Sequence, residues 1–433
     1  MVYPNNPFES LKPFPPGGPV PPLPGWDRCR TAILVIHGIG DQVPLETLDD
    51  FGRTLVETLG QANGVRPALS HGLAERRDSS GRPWFDNYLR MTGVQPPEEH
   101  HLDLYEYYWA NKTEDKVNSD DVQAWVSEVT RGAKTFYKEN AELAATDEPS
   151  GFFTTGGKFH WWRYRLLLGL VGALIPGLSW STEALLRLLA RIPLVGGAAR
   201  SLLTSFFSST KKRMVNTVGE IVAYTAADRH SRFFQLRQDI LGGAVEAFLY
   251  LLGSEDGKRP RYDRVLLAGH SLGTQVAFDA VNRVVHRLDE GTFEGWDNEG
   301  NSTLVPGLTI TQVFAGLITF GSPLDKIAFF LRGQVPAEAY IRRQMAANYH
   351  SFKQRDWNVG WTPPTTVRPP FPHRLDTVPW RNYFDRRDYV SGSLDYYFGL
   401  TNIDARLPKK FFTHNDYWAH VPMYIDLAQH FLK

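Results

Sequence analysis

"RVLLAGHSLGTQVAFDAV" (Arg264–Val281) decides the fold. Arg264–Ala268 is a short apolar run of the kind a buried strand uses, and from Leu272 to about Arg287 the apolar residues recur at helical spacing. Gly269-His270-Ser271-Leu272-Gly273 stands between them, a composition that suits neither a packed strand nor a helix interior. The stretch therefore predicts a strand, a sharp turn and a helix. A serine on such a turn is held exposed above the sheet, and the flanking glycines let backbones pass close together. The helix that follows directs its first amides toward developing negative charge.

Outward from that turn, strands alternate with helices. Thr31–Gln42 ("TAILVIHGIGDQ") is an Ile/Val/Leu-rich run that ends in glycines, predicting a buried strand and a tight loop. A helical pattern follows in "TLDDFGRTLVETLGQ", and His101–Ala110 ("HLDLYEYYWA") alternates as a strand does. Tyr105, Tyr107, Tyr108 and Trp109 within it read as sheet packing. Ile221–Gly253 has a long helical pattern, and "QVFAGLITFGSPLDK" a strand ending at Gly321. Trp380–Gly392 reads as an aromatic strand running into an acidic turn, "KKFFTHNDYWAH" as a last short strand, and "VPMYIDLAQHFL" as a closing helix. Strands alternating with helices imply an α/β domain with a mostly parallel central sheet covered on both faces.

The 433 residues suffice for one large α/β domain with insertions, and the 42% hydrophobic content supports a sizeable core. Net charge is zero, with no basic stripe to neutralise phosphates, so a nucleic-acid partner is not expected. Cys29 is the only cysteine, which precludes an internal disulfide or a cysteine-built zinc site and fits a reducing, cytoplasmic setting. The start has no basic segment followed by an apolar one, so no secretory signal is read; residues 1–28 are a proline-rich extension.

Residues 29–433 form the predicted domain, interrupted by a helical insertion at about 115–255. Within it, Trp161–Met214 is strongly apolar: Leu166–Thr182 carries no charge, although Pro176 interrupts it. Aromatic and arginine residues precede the run, and Lys211-Lys212-Arg213 follow it, residue types that anchor a segment at a lipid headgroup layer. The expected roles are a peripheral membrane contact or a lid, with a true span less favoured because the run is short and broken.

Four blocks together resemble the α/β-hydrolase superfamily, of the serine esterase and lipase kind: "VIHGIGDQ", "AGHSLGTQ", "TFGSPLDK" and "NYFDRRDYVSG" with "THNDYW". They span the core from about Ala32 to the C-terminus but neither the insertion nor the proline-rich start. The resemblance implies Ser271 as nucleophile and an oxyanion hole of two backbone amides, that of Leu272 and that of Ile39 or Gly40. His37 is read as shaping its loop. The order Ser, then Asp or Glu, then His is the one this fold uses. The base is assigned to His414, whose "HNDYW" setting is similar to the catalytic-histidine segment of such hydrolases, over His420 and His430. The acid is assigned to Asp388, just past the aromatic strand, with Asp325 as main competitor and Asp385 behind it.

The implied activity is hydrolysis of carboxylic esters through an acyl-enzyme, with an ester or lipid substrate and no cofactor or metal. The same machinery would serve an acyltransferase, a thioesterase or an amidase, and an inactive scaffold is the alternative outside enzymes. Glu98-Glu99-His100-His101 is not read as a metal cluster, because neighbours in sequence rarely converge on one ion. Arg342-Arg343 and Arg386-Arg387 read as solvated pairs.

Overall fold

A computed structural model of the chain describes residues 22–23, 25–38, 43–77, 83–93, 100–113, 234–253, 259–287, 292–296, 302–324, 339–349, 352–353, 364–368, 375–388, 390–394, 397–408 and 413–432. Its centre is an eight-stranded sheet. In chain order the strands are β1 (Thr31–Ile36), β2 (Ala68–Arg77), β3 (Pro83–Thr92), β4 (Leu102–Tyr107), β5 (Arg264–His270), β6 (Phe314–Phe320), β7 (Trp380–Phe384) and β8 (Leu400–Asp404). Their order across the sheet is β8-β7-β6-β5-β1-β4-β3-β2. The six strands from β8 to β4 are parallel, and β3 and β2 continue the sheet antiparallel at one edge.

The parallel strands are apolar because both faces are covered. In β1, Ala32, Leu34 and Ile36 pack into one cluster with α2 (Phe234–Leu252) and α3 (Gly273–Arg287). The alternate residues Ile33 and Val35 pack into the other, with α1 (Glu46–Asn63) and α4 (Val421–Phe431). The period-2 geometry of a strand thus divides one hydrophobic run between two helical layers. The chain leaves β1 toward β4 on one side, then crosses back to β5 on the other. Carboxyl ends on either side of such a reversal open a crevice in parallel sheets. Register puts Ile36 opposite Gly269, so the loops after β1 and β5 emerge together at that edge.

Several differences from the sequence reading have physical causes. The hairpin β2–β3 was not anticipated: Leu69 and Leu73 of edge strand β2 are 52% and 62% exposed, so no buried face imprints an alternation. Edge strand β8 was missed for the same reason, its "LTNID" being only partly buried. "THNDYWA", expected as a strand, is a 3₁₀ helix over Thr413–Ala419. Residues 234–252, at the end of the expected insertion, form α2 and belong to the core. The rest of that insertion, including Trp161–Met214, lies outside the described residues. Among the described residues no helix is long and apolar enough to cross a membrane. At the proline-rich start, Leu23 and Trp26 are buried in the α1/α4 layer.

Candidate active site

Strand β5 delivers His270 and Ser271 to the carboxyl edge of the sheet. Ser271 has φ 53°, a left-handed conformation that a non-glycine residue adopts only where surroundings enforce it. Its amide still donates to the Phe320 carbonyl of β6 (3.1 Å), while its carbonyl accepts from the Thr274 amide (3.0 Å) and hydroxyl (2.6 Å). The Thr274 hydroxyl is in turn 2.8 Å from that of Ser322, after β6. The turn is thus pinned by strand β6 on one side and by α3 on the other.

The glycines of the motif answer to space. A Cβ on Gly273 would lie 2.3 Å from the carbonyl oxygens of Ile36 and His37, so α3 starts in direct contact with the end of β1. A Cβ on Gly38 would lie 2.5 Å from the Ser271 Cβ and 3.2 Å from its Oγ. The loop after β1 therefore passes against the serine. The Leu272 amide has no acceptor among the described residues, and it stands where α3 begins. Ile39 and Gly40, the other expected oxyanion donors, lie outside the described residues.

His37 is fully buried and stacked on Trp109, with ring centroids 5.1 Å apart. Its Nδ1 donates to the Gly38 carbonyl (2.7 Å), and its Nε2 accepts from the Trp109 amide (3.0 Å). Burial lowers its pKa to about 4, against a smaller raising effect of the Gly38 bond, so the ring is neutral near pH 7. It ties the β1 loop to the end of β4, the shaping role its position suggested.

Asp388 closes a turn after β7, its amide donating to the Asp385 carbonyl (3.0 Å). Its buried carboxylate accepts at Oδ1 from the Val390 amide (2.9 Å) and at Oδ2 from His414 Nδ1 (2.8 Å). That bond places the His414 proton on Nδ1 and leaves Nε2 as a lone-pair acceptor. Among the described residues neither Nε2 nor Ser271 Oγ has a hydrogen-bond partner, and both atoms are buried. The structure thus brings His414 and Asp388 together and holds Ser271 within the same edge.

The competing residues are elsewhere or engaged. Asp385 is clamped by the Arg387 guanidinium (2.8 Å) and by the amides of Arg387 and Leu407 (2.8 and 2.6 Å). Burial alone would raise its carboxyl, but these donors hold it below the ordinary carboxylate range. Arg387, expected as merely solvated, is therefore the counter-ion of Asp385, and it also donates to the Leu407 carbonyl. Asp325 lies outside the described residues. His420 forms the N-cap of α4, its pKa lowered chiefly by burial. His430 pairs with Asp426 one turn back on α4. His101 lies against the Arg90–Asp103 pair, at the opposite end of the sheet.

Two further residues touch the site and were not singled out from the sequence. His270 Nε2 donates to the His414 carbonyl (3.0 Å), linking the neighbour of Ser271 to the backbone of His414. Burial, aided by nearby His414, lowers the His270 pKa to about 3, so this donor carries a single proton through the neutral range. The Tyr417 hydroxyl donates to Asp388 Oδ2 (3.1 Å). In a 3₁₀ helix residues i and i+3 eclipse, which puts His414 and Tyr417 on one face, both toward Asp388. The variable second position of G-x-S-x-G hid the first; the second needed the 3₁₀ period in place of the strand period.

Comparison of the chain with protein-family models, with curated proteins and with solved structures found no match.

Proposed function

We propose that the chain is a serine hydrolase of the α/β-hydrolase kind that cleaves carboxylic esters through an acyl-enzyme. One observation carries the reading. Among the described residues, a serine hydroxyl without a partner sits on a left-handed strand-to-helix turn, in a site where a histidine anchored to a buried aspartate also keeps Nε2 without a partner.

In this reading the Ser271 hydroxyl passes its proton to His414 Nε2 as Oγ bonds to the ester carbonyl carbon. Asp388 orients the ring and stabilises its charged form. The carbonyl oxygen becomes an oxyanion facing the Leu272 amide, with Ile39 as the expected second donor; one such donor is worth roughly 3–4 kcal/mol. The carbon–alkoxy bond then breaks, and the leaving alkoxide takes the proton from Nε2. Water, deprotonated by the same nitrogen, releases the acid and restores Ser271. Hydrogen bonds between nucleophile and base are often long before substrate arrives and tighten in the complex.

Substrate preference for a long acyl chain at a lipid surface rests on the composition of Trp161–Met214 alone. A p-nitrophenyl ester series from acetate to palmitate tests both levels. The expected result is turnover that peaks at long chains, disappears in Ser271→Ala, and falls about 10³–10⁴-fold in Asp388→Asn. A short-chain peak would remove the lipid assignment. Turnover unchanged in Ser271→Ala, or near normal in Asp388→Asn, would overturn the triad.

A further inference from the structure

We infer that Tyr417 is a positioning residue that sets the basicity of the His414–Asp388 pair. The inference rests on the reading of those two residues as base and acid. Its grounds are the hydrogen bonds around Asp388 Oδ2. That single oxygen accepts from His414 Nδ1 at 2.8 Å and from the Tyr417 hydroxyl at 3.1 Å.

Proton accounting fixes the direction of the second bond. An ionised carboxylate only accepts, so the one Tyr417 hydroxyl proton points at Asp388. The 3.0 Å contact between Tyr417 Oη and Ser391 Oγ then draws on the serine's one proton, which Ser391 also directs at the Asp385 carbonyl. Ser391 is itself placed by the backbone of Asp385: its Oγ lies 3.3 Å from the Asp385 carbonyl and 3.4 Å from the Asp385 amide. The turn that carries the acid therefore also supports the hydroxyl that acts on it. Tyr417 is completely buried, with its ring near Phe320 and His270, so the hydroxyl is aimed by packing.

The consequence is electrostatic. A hydroxyl donating to a carboxylate draws charge from it and favours the ionised form. Asp388 is thereby kept charged, while its attraction for a proton on His414 is moderated. Imidazolium formation is then driven less far than a bare buried carboxylate would drive it. A hydroxyl used only for packing would have no such effect.

Tyr417→Phe keeps the ring and removes only the hydroxyl. The test is the titration of His414 in the full-length protein, followed by the NMR signal of its imidazole C–H and assigned by its loss in His414→Gln. The expected result is a His414 pKa about 0.5–1 unit higher in Tyr417→Phe than in the parent. Ser391→Ala should move it in the same direction by less. An unchanged or lowered pKa in a Tyr417→Phe protein that melts within a few degrees of the parent would overturn the inference. This readout does not require turnover, so it separates from the triad reading: loss of Ser271-dependent activity sinks one, an immobile titration sinks the other. Where turnover is measured, the acid limb of kcat/KM should move upward by the same amount.

Discussion

His37 and His270 are neutral, buried imidazoles near the Ser271 turn, and each makes its bond with ring nitrogens in a defined state. Their pKa values are lowered to about 4 and about 3. The sign follows from linkage. Below the ordinary histidine value near 6.5 the unfolded chain takes up protons that the folded chain refuses, so stability falls with pH from there down to the folded values. At pH 5 each ring should cost roughly 2 kcal/mol relative to neutral pH. Urea unfolding midpoints at pH 7 and pH 5 should differ accordingly, and the difference should shrink in His37→Asn. A variant that keeps the full difference would show that His37 does not carry it. At this scale the motif, the order and the resemblance suggest Ser271, His414 and Asp388 as a set, and the structure brings His414 and Asp388 together. His270 and Tyr417 could not be read from the sequence, since their contacts are made across 144 and 29 residues of chain.

Elements meet at the turn through contacts that allow no side chain. Gly273 begins α3 against the end of β1, where a Cβ would strike two backbone oxygens at 2.3 Å. Backbone cannot step aside as a flexible side chain can, so Gly273→Ala should destabilise by about 1–3 kcal/mol. A Cβ on Gly242, in the interior of α2, meets nothing within 4 Å among the described residues, and Gly242→Ala there should be neutral or stabilising by up to about 1 kcal/mol. Thermal melting of the pair checks this; equal shifts would mean that α3 does not abut β1 as described. Elements with a buried face were legible for a related reason. β1 and β5 carry their burial as continuous apolar runs, and β4 and α1 in their periodicity, whereas β2 and β8, at the sheet edges, do neither.

Across the whole molecule, the strand order determines what chemistry the fold can present. Only because the chain reverses at β1 do the loops after β1 and β5 share an edge, and only because β6 and β7 extend the sheet beyond β5 does the Asp388 turn reach the 3₁₀ helix that bears His414. Parallel order follows from the alternation of strands and helices, but pairing across residues 107 to 264 has no local signal in the sequence. In the proposed function this convergence activates Ser271. The most direct measurement is covalent labelling of the intact protein with a fluorophosphonate, followed by peptide mapping. A single residue, Ser271, should be phosphonylated, with labelling abolished in Ser271→Ala and strongly slowed in His414→Gln. A parent protein that does not label, or labelling that persists in Ser271→Ala, would contradict it.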